Sequence, residues 1–455
     1  FGSYLVDSGV ITHGFVSSIR PNNKCTASIM VPLLQSSTPD TKKIPNMLRK
    51  YLTLLVSALL VAACKPTAEE PAGAVDYAAE AHRIAKTSII VDTHVDVPFR
   101  LLEYPQDVSV ATPSGDFDYP RAVEGGLNAP FMSIYTAAEL EAGGTSRETA
   151  DKLIDVVEGM VAAAPDKFAI ARSPAEVREH FDQGIMSLPL GMENGSPLDG
   201  NMAALKHFYD RGIRYISLCH GLSNHLSDSS YDPNNQWDGL SDFGVEVVKE
   251  MNRFGIMVDV SHLSDEAFWD VLDVSLAPVI ASHSSARHFT PEWERNMSDE
   301  MIVALAEKGG VIQINFGSSF LTQEAREYST PAYAALGAWI AEDPDNRNMA
   351  KAMTDFYPDY IAEHGSFPYA TMDDVLDHFD HVVRLVGIDH VGIGSDFDGV
   401  GDTLPAGLKD VSGYPNLVEG LLKRGYTEDD IRKILGGNIL RVWEDVESGA
   451  VRQQT

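Results

Sequence analysis

The chain has 455 residues, of which 44% are hydrophobic and 9% aromatic, enough for one large domain or two ordinary ones, so global disorder is excluded. Its formal net charge of -31 repels nucleic acid and anionic membrane surfaces, and we expect neither as a partner. The three cysteines, Cys25, Cys64 and Cys219, are too few and too scattered for a disulfide framework or a thiolate zinc site.

An apolar segment after Met47 predicts a signal peptide over residues 47–63. Two basic residues are followed by the apolar run Leu52–Ala63 and then by Cys64, which is the order of a secretory signal. The run is too short for a typical transmembrane helix. We interpret residues 1–46, which precede this signal, as a non-native upstream segment.

The residues VAAC at the end of this segment resemble the lipobox of bacterial lipoproteins. The resemblance implies that Cys64 is lipidated and becomes the mature N-terminus, followed by a linker over residues 64–75. Lys65 after the cysteine points to the outer membrane, with the protein facing the periplasm of a bacterial cell envelope. Membrane contact would then occur only through the N-terminal lipid. A plain secretory signal with an incidental cysteine is the alternative.

Eight short β-rich runs follow in the rest of the chain. In chain order they are SIIVDTH, APFMSIY, IMSLPLGME, IRYISLCH, IMVDVSH, PVIASH, VIQINF and HVGIGSDFD. Helical patterns lie between them, among them ADKLIDVVEGMVAAA, FGVEVVKEMNRFG, SDEAFWDVLDVS and DDVLDHFDHVVRLVG. Ser264 and Ser298 precede acidic residues and predict N-caps of two helices.

The alternation of strands and helices predicts a (β/α)8 barrel over residues 76–447, followed by a short tail at 448–455. A helix before the first strand is an extra element, and an insertion at about 317–370 should carry its own helices. The rival architecture is a doubly wound open sheet. We favour the barrel because polar residues end strands throughout the chain, whereas an open sheet concentrates them at one switch point.

Histidines and carboxylates stand at the ends of the predicted strands: His94, Asp96, Glu193, His220, His262, His283 and Asp396. Strand ends of a barrel meet at one face, so these side chains should converge. Imidazoles and carboxylates are ligands that suit zinc, and one carboxylate can bridge two ions. By contrast, His82, His180 and His207 lie in helical patterns and should be structural, and Cys219 should face away from its neighbour His220.

At these positions the chain resembles the membrane (renal-type) dipeptidases, a family of zinc peptidases with a (β/α)8 fold. The resemblance rests on VDTHVD, GMEN, GIRYISLCH, GLSDFGVEVVKEMNRFGIMVDVSH, APVIASHSSAR, ERNMSDE and GIGSDFDGV, which occur in the family order. With DVSGYPNL and GGNILRVWEDV at the end, these motifs run from about residue 76 to 447, which is nearly the whole of the chain after the signal peptide.

The resemblance implies two zinc ions per chain and a role for each site residue. His94 and Asp96 would hold one ion and His262 and His283 the other, while Glu193 would bridge both. His220 would bind the substrate and polarise its carbonyl. Arg295 would bind the substrate, with Arg287 as the alternative arginine, and Asp396 would lie beside the bridging water.

We therefore expect a dipeptidase that hydrolyses L-L and L-D dipeptides through a hydroxide bridging two zinc ions. Members of this family are often dimers, so the resemblance also implies a homodimer. One alternative is another barrel amidohydrolase, acting on a cyclic amide, lactone or phosphoester. A non-catalytic metal-binding lipoprotein is the second alternative, disfavoured because no ligand is missing and Asp396 is present.

Overall fold

The computed structural model describes residues 76–343 and 351–454. The predicted upstream segment 1–46, the signal peptide 47–63, the lipidation site Cys64 and the linker to residue 75 lie outside these residues. Within the described ranges, no helix has both the length and the apolar character needed to cross a membrane.

Ten strands occur in the described part of the chain. They are β1 (Ile90–Val95), β2 (Leu127–Tyr135), β3 (Phe168–Ala169), β4 (Met186–Ser187), β5 (Leu190–Glu193), β6 (Ile213–Ser217), β7 (Met257–Asp259), β8 (Ile280–Ser284), β9 (Val311–Ile314) and β10 (Val391–Ile393).

Eight of these strands form a closed barrel in the order β1-β10-β9-β8-β7-β6-β5-β2, and all eight neighbouring pairs are parallel. The barrel strands are buried almost throughout, as expected when helices cover a parallel sheet. The predicted (β/α)8 fold is confirmed, and the open sheet is excluded because β1 closes against β10.

The described helices surround the barrel. They are α1 (Tyr77–Thr87), α2 (Val97–Glu103), α3 (Tyr119–Gly125), α4 (Glu139–Gly143), α5 (Ser146–Ala163), α6 (Pro174–Gln183), α7 (Met202–Arg211), α8 (Asp242–Phe254), α9 (Asp265–Val274), α10 (Asp299–Glu307), α11 (Ser318–Leu321), α12 (Gln323–Glu342), α13 (Tyr357–His364), α14 (Met372–Val386), α15 (Tyr414–Lys423), α16 (Glu428–Arg432) and α17 (Asn438–Gln454).

The predicted helix starts at Ser264 and Ser298 are both present. The Ser264 hydroxyl accepts a hydrogen bond from the Ala267 amide at the start of α9, and Ser298 accepts one from the Met301 amide at the start of α10. Each cap satisfies an amide that has no partner within its own helix.

One predicted strand was wrong in its extent. The run IMSLPLGME forms two strands, β4 and β5, with Leu188 and Pro189 between them. Proline has no N–H to donate to a sheet, so the ladder breaks there. β4 pairs with β3 in a separate two-stranded sheet, and only β5 joins the barrel.

The C-terminal helix α17 closes the end of the barrel where the strands begin. Trp443 is fully buried, and its ring centroid lies 5.3 Å from that of Phe131 in β2. Ile439, Leu440 and Val446 belong to the same buried cluster. Because this end is filled by side chains, the opposite face, where the strands end, is the open one.

The connection between β9 and β10 contains α11, α12 and α13 with a π-helical turn at Ala352–Phe356. These elements fall in the segment 317–370 that was predicted as a helical insertion. α11 directly follows β9, so the insertion begins at the open face of the barrel.

Candidate metal centre and active site

The predicted histidine and carboxylate residues meet at the open face of the barrel. His94 lies in β1, Glu193 is the last residue of β5, and His283 lies in β8. All three side chains are buried. The register between strands places Glu193 beside Tyr135 of β2 and Ser217 of β6.

Three further site residues lie beyond the strands, although we predicted that the strands would run to them. His220, His262 and Asp396 follow strands that end earlier, at Ser217, Asp259 and Ile393. His262 has a φ of 73° and Asp396 a φ of 64°, which is left-handed backbone that no strand can contain. This conformation costs roughly 1–2 kcal/mol per residue and turns both side chains toward the centre.

The Glu193 carboxylate is the centre of the cluster. Its Oε1 lies 3.1 Å from His262 Nε2 and 3.4 Å from His283 Nε2. Its Oε2 lies 3.3 Å from His94 Nε2, which is in turn 3.4 Å from Asp96 Oδ2. The two oxygens of one carboxylate therefore face two separate groups of ligand-type atoms.

Hydrogen bonds orient His94. The Tyr215 hydroxyl donates to the Thr93 carbonyl at 3.0 Å and lies 2.8 Å from His94 Nδ1. Its single proton is thereby used, so the oxygen accepts the proton of His94 Nδ1. His94 Nε2 is therefore the nitrogen that faces Glu193 and Asp96 and that would bind a metal ion.

The same arrangement recurs at His283. The Ser282 hydroxyl donates to Asp259 Oδ2 at 2.6 Å and accepts from His283 Nδ1 at 2.7 Å. The Nε2 of His283 therefore carries a lone pair. Partners of this kind behind metal-ligating histidines fix ring orientation and tautomer. Sequence reasoning did not identify Tyr215, Ser282 or Asp259, which lie within or directly at strands and look like ordinary strand residues.

The chemistry of the donor set suits bound cations. Arg295 Nη2, which can only donate, lies 3.1 Å from His262 Nε2, so that nitrogen also presents a lone pair. His262 Nε2 and His283 Nε2 are 2.8 Å apart, both as acceptors. Two facing lone pairs next to a carboxylate repel each other unless positive charge lies between or beside them. Imidazole and carboxylate together are typical zinc ligands.

Charge and burial shift the pKa values of these groups in different directions. Burial, aided by Arg295, holds the pKa of His262 well below its usual value, and burial with His94 does the same for His283. Burial opposes ionisation of Glu193, but His94 and His220 outweigh it and hold its pKa well below the ordinary value. The pKa of His94 moves the other way: burial opposes the charged form, but Tyr215, Glu193 and Asp96 together raise it well above the usual value, so a metal ion bound there would displace a proton from His94 Nε2.

Asp396 is a buried carboxyl at the same face of the barrel. Its Oδ2 accepts a 2.7 Å hydrogen bond from Asn315, a residue that sequence reasoning did not identify. Burial raises the pKa of Asp396 to about 7; His94 opposes the shift, whereas Asp96 and Glu193 add to it. A carboxyl with this pKa can both accept and release a proton near neutral pH.

Of the two candidate arginines, Arg295 belongs to the site. Its Nη1 donates to the Ser284 hydroxyl and its Nη2 to the His283 carbonyl, both at 2.7 Å. Arg287 instead forms two hydrogen bonds with Asp265, of 2.7 and 2.5 Å. Its guanidinium is thus already paired with a carboxylate.

A cavity of about 570 Å³ lies above the cluster. Asp96, Glu193, His220, His262 and Asp396 line its floor. Its remaining walls include Tyr135, Trp293 and residues of α11 and α12, so the insertion contributes directly to the space in which a substrate would bind.

The residues predicted to be structural lie outside this cluster. His180 Nδ1 is 2.9 Å from the Ser187 hydroxyl, and His207 Nε2 is 2.9 Å from Asp151. The buried Cys219 thiol donates to the Asp228 carbonyl at 3.3 Å. None of these three belongs to the groups of potential metal ligands around Glu193.

Comparison with known proteins supports these observations. The model of the membrane dipeptidase family, peptidase family M19, matches residues 78–455. The probable dipeptidase PvdM from Pseudomonas aeruginosa is 28% identical, with a TM-score of 0.71 over 82% of this chain and 99% of that chain. A metallo peptidase from Rhodobacter sphaeroides, solved with a phosphinate mimic of the dipeptide L-Ala-D-Ala, is 28% identical, with a TM-score of 0.65 over 79% of this chain and 99% of that chain.

A more distant structure supports the fold alone. An amidohydrolase from Pseudomonas aeruginosa is 23% identical, with a TM-score of 0.62 over 81% of this chain and 99% of that chain.

Proposed function

The chain belongs to the membrane dipeptidase family, peptidase family M19, and from this premise we propose that it is a dizinc enzyme hydrolysing the peptide bond of short dipeptides. His94 and Asp96 would hold one zinc ion, His262 and His283 the other, and Glu193 would bridge them. The observation that carries the proposal is the Glu193 carboxylate, whose two oxygens face these two groups at 3.1–3.4 Å.

Bound zinc supplies an acidified water as nucleophile and polarises the substrate carbonyl. The chain's own residues would bind the ions and transfer the proton of the attacking water. Asp396 would take the proton from the attacking water and pass it to the leaving amine, and the Asn315 hydrogen bond fixes the carboxylate for this role.

His220 would stabilise negative charge on the carbonyl oxygen. Its Nε2 lies 3.5 Å from Glu193 Oε1 and it lines the cavity floor, and burial lowers its pKa so that it is neutral. A neutral imidazole can donate one hydrogen bond to a developing oxyanion.

Arg295 would bind the carboxylate at the C-terminal end of the dipeptide. Arg295 as a whole is 2% exposed, its guanidinium lies beside His262, and its Nε has no hydrogen-bond partner among the described residues. A substrate held by this carboxylate with its scissile bond above Glu193 must be short. We also propose that L-D dipeptides are hydrolysed, because the Rhodobacter sphaeroides neighbour binds a mimic of L-Ala-D-Ala.

The test is release of amino acids from a panel of L-L and L-D dipeptides by the purified protein, before and after chelation and zinc replacement. We expect activity to be lost on chelation and restored by about two zinc ions per chain. If two ions bind and no dipeptide is hydrolysed, the proposal fails, and cyclic amides, lactones and phosphoesters become the substrates to screen.

We further propose that lipidation of Cys64 anchors the protein to the outer membrane, facing the periplasm, and that it forms a homodimer. The lipobox-like VAAC supports the first and the family resemblance the second. Mass spectrometry of the native N-terminal peptide and the membrane fraction of Cys64→Ser test the anchor. Sedimentation equilibrium of the soluble domain tests the dimer.

A further inference from the structure

An arginine from the insertion reaches the cavity, and none of the described residues forms an ion pair with it. Arg326 of α12 lines the cavity and is half-buried. Its Cζ lies 4.3 Å from the centre of the Trp293 ring. Burial lowers its pKa, and the other influences on its charge come from Tyr231 and Tyr333, neither of them a carboxylate.

Two other arginines that are largely withdrawn from water pair with acids, whereas the buried Arg214 and Arg295 donate to neutral groups. Arg100 pairs with Asp398, and Arg287 pairs with Asp265. Removing a guanidinium from water costs free energy unless an anion compensates it. Arg326 has no acid partner among the described residues although the chain carries a net charge of -31, and because it lines the cavity, we take its counter-ion to arrive with the substrate.

Arg326 and Arg295 are separated by two aromatic rings. Arg295 Cζ lies 5.1 Å from the Phe320 ring centre, the Phe320 and Trp293 rings are 5.0 Å apart, and Arg326 stacks on Trp293. Arg326 lines the cavity, whereas Arg295 is buried beside Phe320, which itself lines the cavity. A single carboxylate would contact only one of the two guanidinium groups, whereas the two carboxylates of one acidic residue would contact both.

We propose that Arg326 binds the side-chain carboxylate of an acidic residue at the C-terminal position of the dipeptide. The inference rests on the proposed function, in which Arg295 binds the main-chain carboxylate of that same residue. The side chain passes Phe320 and Trp293 and reaches Arg326, whose stacking on Trp293 fixes the guanidinium plane and leaves its N–H edge free for a bidentate contact.

The experiment compares isosteric substrates. Ala-Asp and Ala-Asn, and Ala-Glu and Ala-Gln, are assayed with the C-terminal residue in both configurations, with Ala-Ala as the substrate that needs no side-chain contact. The enzymes are the wild-type holoenzyme, Arg326→Gln and Arg326→Lys. Arg384→Gln is the control, because Arg384 is exposed on α14 and does not line the cavity.

We expect kcat/KM of the wild type to favour the acidic member of each pair. Arg326→Gln should lose about tenfold to a hundredfold on the acidic substrates only, in line with hydrogen bonds between charged groups. Arg326→Lys should recover part of the loss, and Arg384→Gln should leave the ratio unchanged.

Three outcomes would overturn the inference while leaving the dipeptidase intact: no preference for the acidic substrates in the wild type, an unchanged acid-to-amide ratio in Arg326→Gln, or an equal loss on every substrate including Ala-Ala. The last result would assign Arg326 to the main-chain carboxylate. Failure of the wild type to hydrolyse any of the dipeptides would instead refute the proposed function.

Discussion

Gly399 allows two carboxylates of the site to approach each other, and its replacement by alanine tests the geometry directly. A Cβ at this position would lie 2.1 Å from Asp396 Oδ1 and 2.3 Å from Asp96 Oδ2. Cβ atoms essentially never come closer than 3.0 Å to another atom, so the Asp396 oxygen would have to move by about 0.9 Å relative to the new methyl group. The other Asp396 oxygen is held by Asn315, so rotation away from the methyl group would break that hydrogen bond.

We expect Gly399→Ala to lower kcat by about a hundredfold, since a displacement of about 1 Å in a catalytic group can have that effect. The free energy of unfolding should fall by only about 1–3 kcal/mol, the usual range for overpacking. The assay measures kcat on one dipeptide, zinc content by mass spectrometry, and thermal unfolding of the same preparations.

The matched control is Gly159→Ala in α5, where a Cβ meets no atom within 4 Å. It should retain full activity and gain up to about 1 kcal/mol of stability from the better helix propensity of alanine. Wild-type kcat and zinc content in Gly399→Ala would refute the placement of Asp96 and Asp396 around this glycine.

Three further predictions concern residues around the same barrel. Tyr215→Phe removes the acceptor of the His94 Nδ1 proton, and we expect zinc affinity, measured by competition with a chelator, to fall about tenfold to a hundredfold; unchanged affinity would contradict the orienting role. Asp396→Asn should bind two zinc ions and lose at least about a hundredfold in kcat, measured by turnover beside metal analysis, whereas retained turnover would exclude Asp396 as the proton carrier. Burial lowers the pKa of His378 to about 4, so below about pH 6.5 the unfolded chain binds a proton that the native chain does not, and stability is lost as pH falls toward 4. Between those pH values, denaturant titrations should show that the free energy of unfolding falls by up to about 3 kcal/mol more in the wild type than in His378→Gln. The same pH dependence of stability in both proteins would contradict this prediction.

The sequence predicted the site best where a ligand-type residue stands at the end of a predicted strand. His94, Glu193 and His283 end β-rich runs, and the structure brings them together because strand ends of a barrel share one face. His262 and Asp396 were identified by the same rule, although they lie in left-handed turns beyond the strands. A run of apolar residues does not show at which residue the strand pairing ends, so the C-terminal ends of several strands were predicted too late in the chain.

Residues that orient a site residue, or that reach the cavity from the insertion, have no comparable pattern in the sequence. Tyr215 looks like any aromatic strand residue, and its contact with His94 spans two distant strands of the barrel. Arg326 lies in the insertion, where the helical pattern says nothing about which cavity a side chain faces. Such contacts form only in the closed barrel, so they could not be predicted from a single sequence.

The pairing of β1 with β10 closes the barrel, and only then does the folding chain have no exposed strand edge in the barrel sheet. Until residues 391–393 are available, β1 and β9 each present an unpaired parallel edge, and the most apolar surfaces of the fold remain uncovered. The first and last barrel strands are separated by almost the whole domain, which makes this pairing slow to form. A chain interrupted before β10 would therefore expose strand edges and be prone to aggregate. Production of this protein thus depends on preventing association between incomplete barrels.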